Sequence, residues 1–419
     1  MSPRVLVLGV GPQGPASLTP AWQARIAQAD ELWGGRRLLA LWPDHPGSRL
    51  AIGDNVAELA ARLRQRGRAR IVVLASGDPG FYGIAGTLLH ELSADELEIV
   101  PHVSSLQLAF ARAGLAWSDA ILTSAHARPL AEVVGWARRA HKLGILTDPE
   151  HTPGAIARAL LAAGAPDCRA IVAENLALPE ERLVDTRLSS LPTLEFSPLN
   201  VLLLLQDAGW RPRPLLALRP DECYEHRRGL ITKSDARALS LARLALSDSD
   251  TVWDIGAGSG AMSIEMAELA WRGQVWAIEQ DAENMGYLHR NVARHGALNV
   301  HPVAGRAPAA LAGLPAPHAV FVGGSGGELA GILQHVAEAA QTGCRVVINL
   351  ATLENLQLAR EVLCDLGAEP SLAQVNIAHG QPLGGLTRLA PLNPVFILAA
   401  VLRTGPGEGA GRTGGTICG

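Results

Sequence analysis

The chain of 419 residues is short of charge, with only 18% Asp, Glu, Lys and Arg, against about 25% in an ordinary soluble domain. Low charge beside 48% apolar residues excludes an intrinsically disordered chain. A basic excess is also missing. The 36 Lys and Arg against 40 Asp and Glu leave a formal net charge of -4, so bulk charge gives no reason to expect nucleic acid or an anionic membrane as partner. Cysteine is sparse. Cys168, Cys223, Cys344, Cys364 and Cys418 are odd in number and form no CxxC pair, which argues against a disulfide framework or a zinc site and for a reducing, cytoplasmic setting. No apolar run approaches the about 20 residues that span a bilayer; Val201 to Leu205 reads as a buried strand. The opening "RVLVLGVGP" breaks at Gly9, too early for a secretory signal, and also reads as a strand. No metal and no membrane partner are expected.

Present in quantity are turn-formers, 44 Gly and 27 Pro. At this length, two domains of about 200 residues each are expected. Short apolar runs alternate with helical stretches through the first half. Strands are predicted at Val5–Val10, Ile71–Ala75, Ala120–Thr123, Gly144–Thr147, Ala170–Glu174 and Asn200–Gln206. The alternation predicts a largely parallel α/β architecture. "DAGWRPRPLLALRPDE" then interrupts any regular element, which divides the chain into a domain over 1–208, a linker over 209–220 and a second α/β domain over 221–403. In that domain strands are predicted at Thr251–Ile255, Gln274–Glu279, Val300–Val303, Ala319–Val322, Arg345–Asn349 and Val395–Val401. The tail 404–419 has almost no apolar content and reads as disordered.

The sharpest local signal is "TVWDIGAGSGAMSIEMA". A strand runs into Asp254, then Gly256, Ala257, Gly258, Ser259 and Gly260, then a helix. Glycines are needed where backbone turns with positive φ or approaches a ligand closely. The spacing is GxGxG rather than the GxGxxG of dinucleotide dehydrogenases, and no Lys or Arg sits in the loop to meet a pyrophosphate. Glu279 ends the next strand, where an acid can accept hydrogen bonds from both ribose hydroxyls. In the first half, "VLVLGVGPQGPASLT" places Gly9, Gly11 and Pro12 after one strand, and "IVVLASGDPGFYG" places Gly77, Asp78 and Pro79 after another. Each alone is a common turn composition, and Asp78 reads first as a backbone-shaping residue.

The C-terminal loop resembles motif I of the class I methyltransferases, which implies S-adenosylmethionine. The two N-terminal loops together resemble the tetrapyrrole methylase (class III) family, whose GxGP and GDPxxY loops flank a cleft for the same cofactor. "PHVSSLQLAFARAGLAWSDA" resembles that family's next block, which implies Ser104 and Ser105 at the cleft border. A tetrapyrrole methylase fold of two α/β subdomains followed by a Rossmann-like class I domain resembles the fused precorrin-6Y C(5,15)-methyltransferases (decarboxylating) over nearly the whole chain. Further blocks carry the likeness: "PDECYEHRRGLITKSDARALSLARL", "GRAPAAL", "VFVGGSGG", "VVINLATLEN" and "LNPVFILAAV". By this resemblance Thr232, Gly256 to Gly260, Glu279 and Ala307 contact the cofactor. Arg306 stands where the family often has an acid, which puts an adenine contact there in doubt.

The resemblance implies methylation of carbon 5 by the first half, and methylation of carbon 15 with loss of the carbon-12 acetate carboxyl by the second. It also implies a homo-oligomer. A substrate with many carboxylates calls for cations, and Arg227, Arg228, Lys233, Arg306 and Arg388 are candidates, Lys233 and Arg306 foremost. Each reads equally as a solvated surface charge. His379 is a candidate proton donor or carboxylate contact, although a lone histidine is more often a loop residue. Trp253 and Trp276 read as core. The competing readings are a dinucleotide dehydrogenase, which the loop spacing disfavours; a methyltransferase for RNA or protein, which should show a basic face; a tetrapyrrole- or cofactor-holding module without turnover; and a cobalt-containing substrate.

Overall fold

The computed structural model describes residues 5–53, 56–65, 67–126, 128–212, 218–227 and 231–403. Arg228, part of the expected linker and the tail 404–419 lie outside the described residues. The chain makes two compact units. One draws on the residues up to Arg128, Ala140–Arg158 and Asp167–Trp210, the other on Pro129–Arg139, Ala159–Pro166 and the residues from Arg211 onward.

In the first unit β1 (Val5–Val10), β2 (Glu31–Gly34), β3 (Ser48–Ala51), β4 (Ile71–Ser76) and β5 (Leu97–Val100) form a sheet ordered β3-β2-β4-β1-β5. Every pairing in it is parallel. All residues of β1 are buried, as a strand covered on both faces requires. The chain leaving β1 runs to β2 on one side, while the chain leaving β4 crosses β1 to reach β5 on the other. Such a reversal opens a crevice at the carboxyl ends of the strands.

A second sheet contains β6 (Ile121–Ser124), β7 (Lys142–Leu146), β8 (Arg169–Glu174), β9 (Arg182–Arg187) and β10 (Asn200–Leu205), ordered β6-β7-β10-β8-β9. Here the expectation of largely parallel pairing fails. Only β6 and β7 are parallel; β10 runs antiparallel to β7 and β8, and β9 to β8. No α-helix separates β8, β9 and β10 in the chain, and a parallel partner would need a crossover of a dozen or more residues.

The second unit has β11 (Thr251–Ile255), β12 (Gln274–Glu279), β13 (Val300–Ala304), β14 (Ala319–Val322), β15 (Cys344–Leu350), β16 (Ser371–Val375), then a hairpin of β17 (Ala378–Leu383) and β18 (Leu386–Pro391), and finally β19 (Val395–Leu402). The main sheet is ordered β13-β12-β11-β14-β15-β19-β16, with β19 antiparallel to both neighbours. The crossovers leaving β11 and β14 diverge, so a second reversal lies between these adjacent strands. Trp253 is fully buried, as expected. Trp276 is only partly buried and stacks on His301, with ring centroids 4.8 Å apart.

Candidate cofactor and substrate sites

In the first unit the loops after β1, β4 and β5 meet. Gly77 N–H donates to Val10 O at 2.9 Å, and His102 N–H donates to Gly77 O at 3.2 Å. Close approach is what glycine supplies here. A Cβ on Gly9 would lie 2.2 Å from Gly77 O and 2.5 Å from the His102 nitrogen, and one on Gly11 would lie 2.5 Å from the His102 ring. Asp78 shapes its loop: its Oδ1 accepts the Gly80 N–H at 2.8 Å, an Asx-type turn. Pro79 O accepts the Ala85 N–H at 3.1 Å at the start of the helix Ile84–Glu91. Ser104 caps the helix Ser105–Arg112. Its Oγ accepts the Gln107 N–H at 3.2 Å, and Gln107 Oε1 accepts the Ser104 N–H at 2.8 Å, a reciprocal capping box. Gly9, Gly11, Gly77 and Ser104 are thus brought together, with Pro12, Asp78, Pro79 and Ser105 on the same loops. His102, which the sequence reading passed over, fills the floor between them, and its Nδ1 is buried without a partner.

In the second unit a cavity of about 780 Å³ opens at the reversal between β11 and β14, within the range of small-molecule sites. Gly256 (φ +73°), Gly258 (φ +58°) and Gly260 (φ +82°) are all left-handed, a conformation that costs an L side chain about 1–2 kcal/mol. Gly256 has a second reason to be glycine, since its Cβ would lie 2.4 Å from Gly324 O. The N–H groups of Gly256 and Ala257 both donate to Ile278 O at 3.0 Å, fastening the loop to β12. Glu279 completes the fastening: its carboxylate accepts the Gly258 N–H and the Asp281 N–H, each at 2.7 Å. Thr232, Lys233, Gly256, Ala257, Gly258, Ser259, Glu279, Arg306 and Ala307 all line the cavity. Gly260 stands just behind it as the N-cap of the helix Ala261–Leu269.

Beneath the loop lies Asp254, fully buried. Ser263 Oγ donates to its Oδ2, while its Oδ1 has no partner among the described residues. Burial, opposed by the Ser263 hydrogen bond and reinforced by the nearby Glu279 charge, pushes this carboxyl up to about 7. The wall at Thr232–Lys233 is set by Arg237, whose guanidinium is wholly buried. It donates to Thr232 O at 2.6 Å, to Asp221 at 2.8 Å and to Glu265 at 3.1 Å. Lys233 in turn pairs with Asp221 at 3.2 Å.

The expected cations divide. Lys233 and Arg306 line the cavity, Arg306 bonded to Gly326 O at 2.9 Å and to Glu328 at 3.1 Å. Arg227 is exposed, 3.9 Å from Glu283, and does not line the cavity. Nor do His379 and Arg388, which stand on β17 and β18 of the exposed hairpin. His379 is therefore not the loop residue expected; it sits on a strand and pairs with Asp235 at 3.2 Å. Residues missed individually include Asp254, Gly323, Gly324 and Asn349, all on the cavity wall. Their signal was positional, because each follows or ends a buried strand of the sheet. Among the described residues no group of three or more His, Cys, Asp or Glu is arranged to hold a metal ion, and no described helix is long and apolar enough to cross a membrane.

The donor set fits S-adenosylmethionine in both units. Each has glycine-lined backbone at a strand-end reversal, and neither loop carries the cations a pyrophosphate would need. Comparison with known proteins follows the same division. A model of tetrapyrrole (corrin/porphyrin) methylases matches residues 4–192, and a precorrin methyltransferase domain matches residues 222–401. A precorrin-6Y C(5,15)-methyltransferase [decarboxylating] from Sinorhizobium sp is 36% identical over 408 residues, 94% of this chain and 95% of its own. A probable cobalt-precorrin-6B C(15)-methyltransferase (decarboxylating) from Pyrobaculum aerophilum is 40% identical over 184 residues, 43% of this chain and 94% of its own. A cobalt-precorrin-7 C(5)-methyltransferase from Salmonella typhimurium is 38% identical over 179 residues, 42% of this chain and 87% of its own.

Proposed function

The chain belongs to the precorrin-6Y C(5,15)-methyltransferase (decarboxylating) family, and from that premise we propose that it methylates a precorrin at carbons 5 and 15 and removes the carboxyl of the carbon-12 acetate, in cobalamin biosynthesis. Bound S-adenosylmethionine supplies an electrophilic methyl group on a sulfonium. The first unit acts at carbon 5 through Gly9, Gly11, Pro12, Gly77, Asp78, Pro79, Ser104 and Ser105. The second acts at carbon 15, and on the acetate, through Thr232, Gly256 to Gly260, Glu279 and Ala307. The division into 1–208 and 221–403 is kept as the boundary of these activities.

The acceptor at each centre is an electron-rich meso carbon, so no covalent enzyme intermediate is required. The backbone loops align donor and acceptor, and orientation alone is worth about 7–11 kcal/mol of barrier. The cavity is also lined by the apolar side chains of Ile231, Leu350, Val375, Ile377 and Val395. A carboxylate held there is favoured to leave as carbon dioxide, its electron pair passing into the conjugated ring. Lys233 and Arg306 at the rim meet the other carboxylates. We place the enzyme in the cytoplasm as a homo-oligomer, with neither nucleic acid nor membrane as partner.

The observation that supports this reading above others is the pairing, in one chain, of two separate glycine-lined strand-end reversals of different design. A cobalt-containing substrate is the second reading, favoured by the two relatives named for cobalt-precorrins. Incubation of the full chain with methyl-labelled donor and precorrin-6Y, with and without cobalt, tests both. Two methyl additions and one carbon dioxide per macrocycle are expected from the metal-free substrate; no transfer to either substrate overturns the proposal.

A further inference from the structure

A cluster of titratable groups lies at the carboxyl ends of β6 and β7, outside the glycine loops. Asp148 follows β7 and is nearly buried, its side chain 9% exposed. Its Oδ1 accepts the N–H groups of Glu150 at 2.9 Å and His151 at 2.5 Å. The carboxylate is therefore fixed before any ligand arrives. Two imidazoles face its Oδ2: His151 Nδ1 at 3.4 Å and His126 Nδ1 at 3.7 Å. They differ in access. The His151 side chain is 18% exposed, whereas that of His126 is 67% exposed. The His126 Nε2 has no hydrogen-bond partner among the described residues.

The same loop reaches the glycine loops of this unit. Arg128, two residues on, lays its guanidinium 4.8 Å from the centre of the Tyr82 ring. Tyr82 belongs to "GDPGFYG" and is held at φ +51°. The loop that carries His126 therefore touches the segment "GDPGFYG" through Arg128. The other imidazole near that loop, His102, packs under Gly11 with its Nδ1 buried, so it is badly placed to exchange protons with solvent.

Methylation of a meso carbon leaves a proton to be removed. The π electrons of carbon 5 form the new bond to methyl, and the pair of the broken carbon–sulfur bond stays on sulfur. Carbon 5 then carries both hydrogen and methyl, and the macrocycle has gained a positive charge. Loss of the hydrogen as a proton returns its bonding pair to the conjugated system. A histidine with one nitrogen facing a fixed carboxylate, here at 3.7 Å, needs only a small closure on substrate binding to reach the arrangement that general-base catalysis uses.

We propose that His126, oriented by Asp148, takes the proton from methylated carbon 5 through Nε2 and passes it to solvent. This rests on the assignment of carbon 5 to the first unit. Asp148 is a positioning residue. The charged group facing the ring is Asp148, from the β7 loop, with His151 on the same carboxylate oxygen.

The test uses the full chain with precorrin-6Y, following methyl addition at carbons 5 and 15 separately by mass spectrometry, with His126→Ala, His126→Gln and Asp148→Asn. His126→Ala is expected to slow carbon-5 methylation by about 100-fold or more and to recover in part with added imidazole. Calorimetric affinity for S-adenosylhomocysteine and methylation at carbon 15 should stay within about twofold. In Asp148→Asn the kcat for carbon-5 methylation should fall while the KM for S-adenosylmethionine stays within about twofold. Undiminished carbon-5 methylation in His126→Ala and His126→Gln overturns the proposal. So does a loss that tracks weakened cofactor binding or a lowered melting temperature. If wild-type enzyme itself adds no methyl at carbon 5, the domain assignment has failed and the proposal falls with it; a failure of His126 alone leaves that assignment standing.

Discussion

The two units reach a similar glycine-rich solution for different physical reasons. In the second unit glycine supplies conformation: Gly256, Gly258 and Gly260 all sit at positive φ. In the GxG pair of the first it supplies room alone. Gly9 and Gly11 are not left-handed, yet a Cβ at either would collide with the neighbouring loops. A GxG pair is therefore not one device. Both kinds fail by displacement where a Cβ would be met, as at Gly9 and Gly256, but only the left-handed kind adds strain in its own backbone.

The largest expected effects come from crossing that comparison. Gly256→Val should cut carbon-15 methylation and carbon dioxide release by on the order of 100-fold, the cost of roughly 1 Å of misplacement. It should leave carbon-5 methylation intact. Gly9→Val should do the reverse by a similar factor. Mass spectrometry of the products separates the two, and loss of both activities in either variant would break the idea of independent sites.

Next comes Glu279→Gln. Its carboxylate holds the Gly258 and Asp281 N–H groups, and charge-assisted bonds of this kind are worth about 1.5–3 kcal/mol. The expected result is a rise of about 10- to 100-fold in the donor KM at the second site, read from initial rates at carbon 15.

A smaller effect concerns Asp254. In the folded chain it holds its proton up to about pH 7, whereas an unfolded aspartate ionises near about 3.9. Unfolding between these values releases a proton, so stability falls as pH rises through that window, by at most about 1.4 kcal/mol per pH unit. Above it this contribution to the slope vanishes. Denaturant melts at several pH values should show the slope in wild type and its removal in Asp254→Asn.

The smallest effect is expected from Gly258→Ala, where a Cβ meets nothing within 4 Å. The stability cost should stay near the strain alone, about 1–2 kcal/mol, a shift of a few degrees in melting temperature. A far larger loss would show that the loop is closer-packed than its geometry implies.

Much of this was legible in the sequence where burial and backbone demands coincide. β1 and β11 are apolar runs ending in glycine, and were read at Val5–Val10 and Thr251–Ile255. Thr232 and Lys233, which lead into the helix Ser234–Leu244, and Arg306 and Ala307, which follow β13, are legible as parts of recognisable blocks. The missed strands are of another kind. Arg182–Arg187 is an edge strand with charged residues and little burial, so it shows no clean alternation. The antiparallel insertion of β10 between β7 and β8 depends on partners distant in sequence, which periodicity does not encode. His126 and Asp148 are an instance of the same limit: 22 positions apart in the chain, they meet only because β6 and β7 are parallel neighbours.

The sealed guanidinium of Arg237 carries one further consequence. A wall tied down by a desolvated ion network does not depend on the guest for its shape. The stretch at Thr232 and Lys233 keeps its shape whether the cavity is empty or filled. Amide exchange along 232–237 should therefore be as slow in the empty protein as in the loaded one, and turnover at this centre should be paced by traffic through the doorway rather than by rebuilding the room.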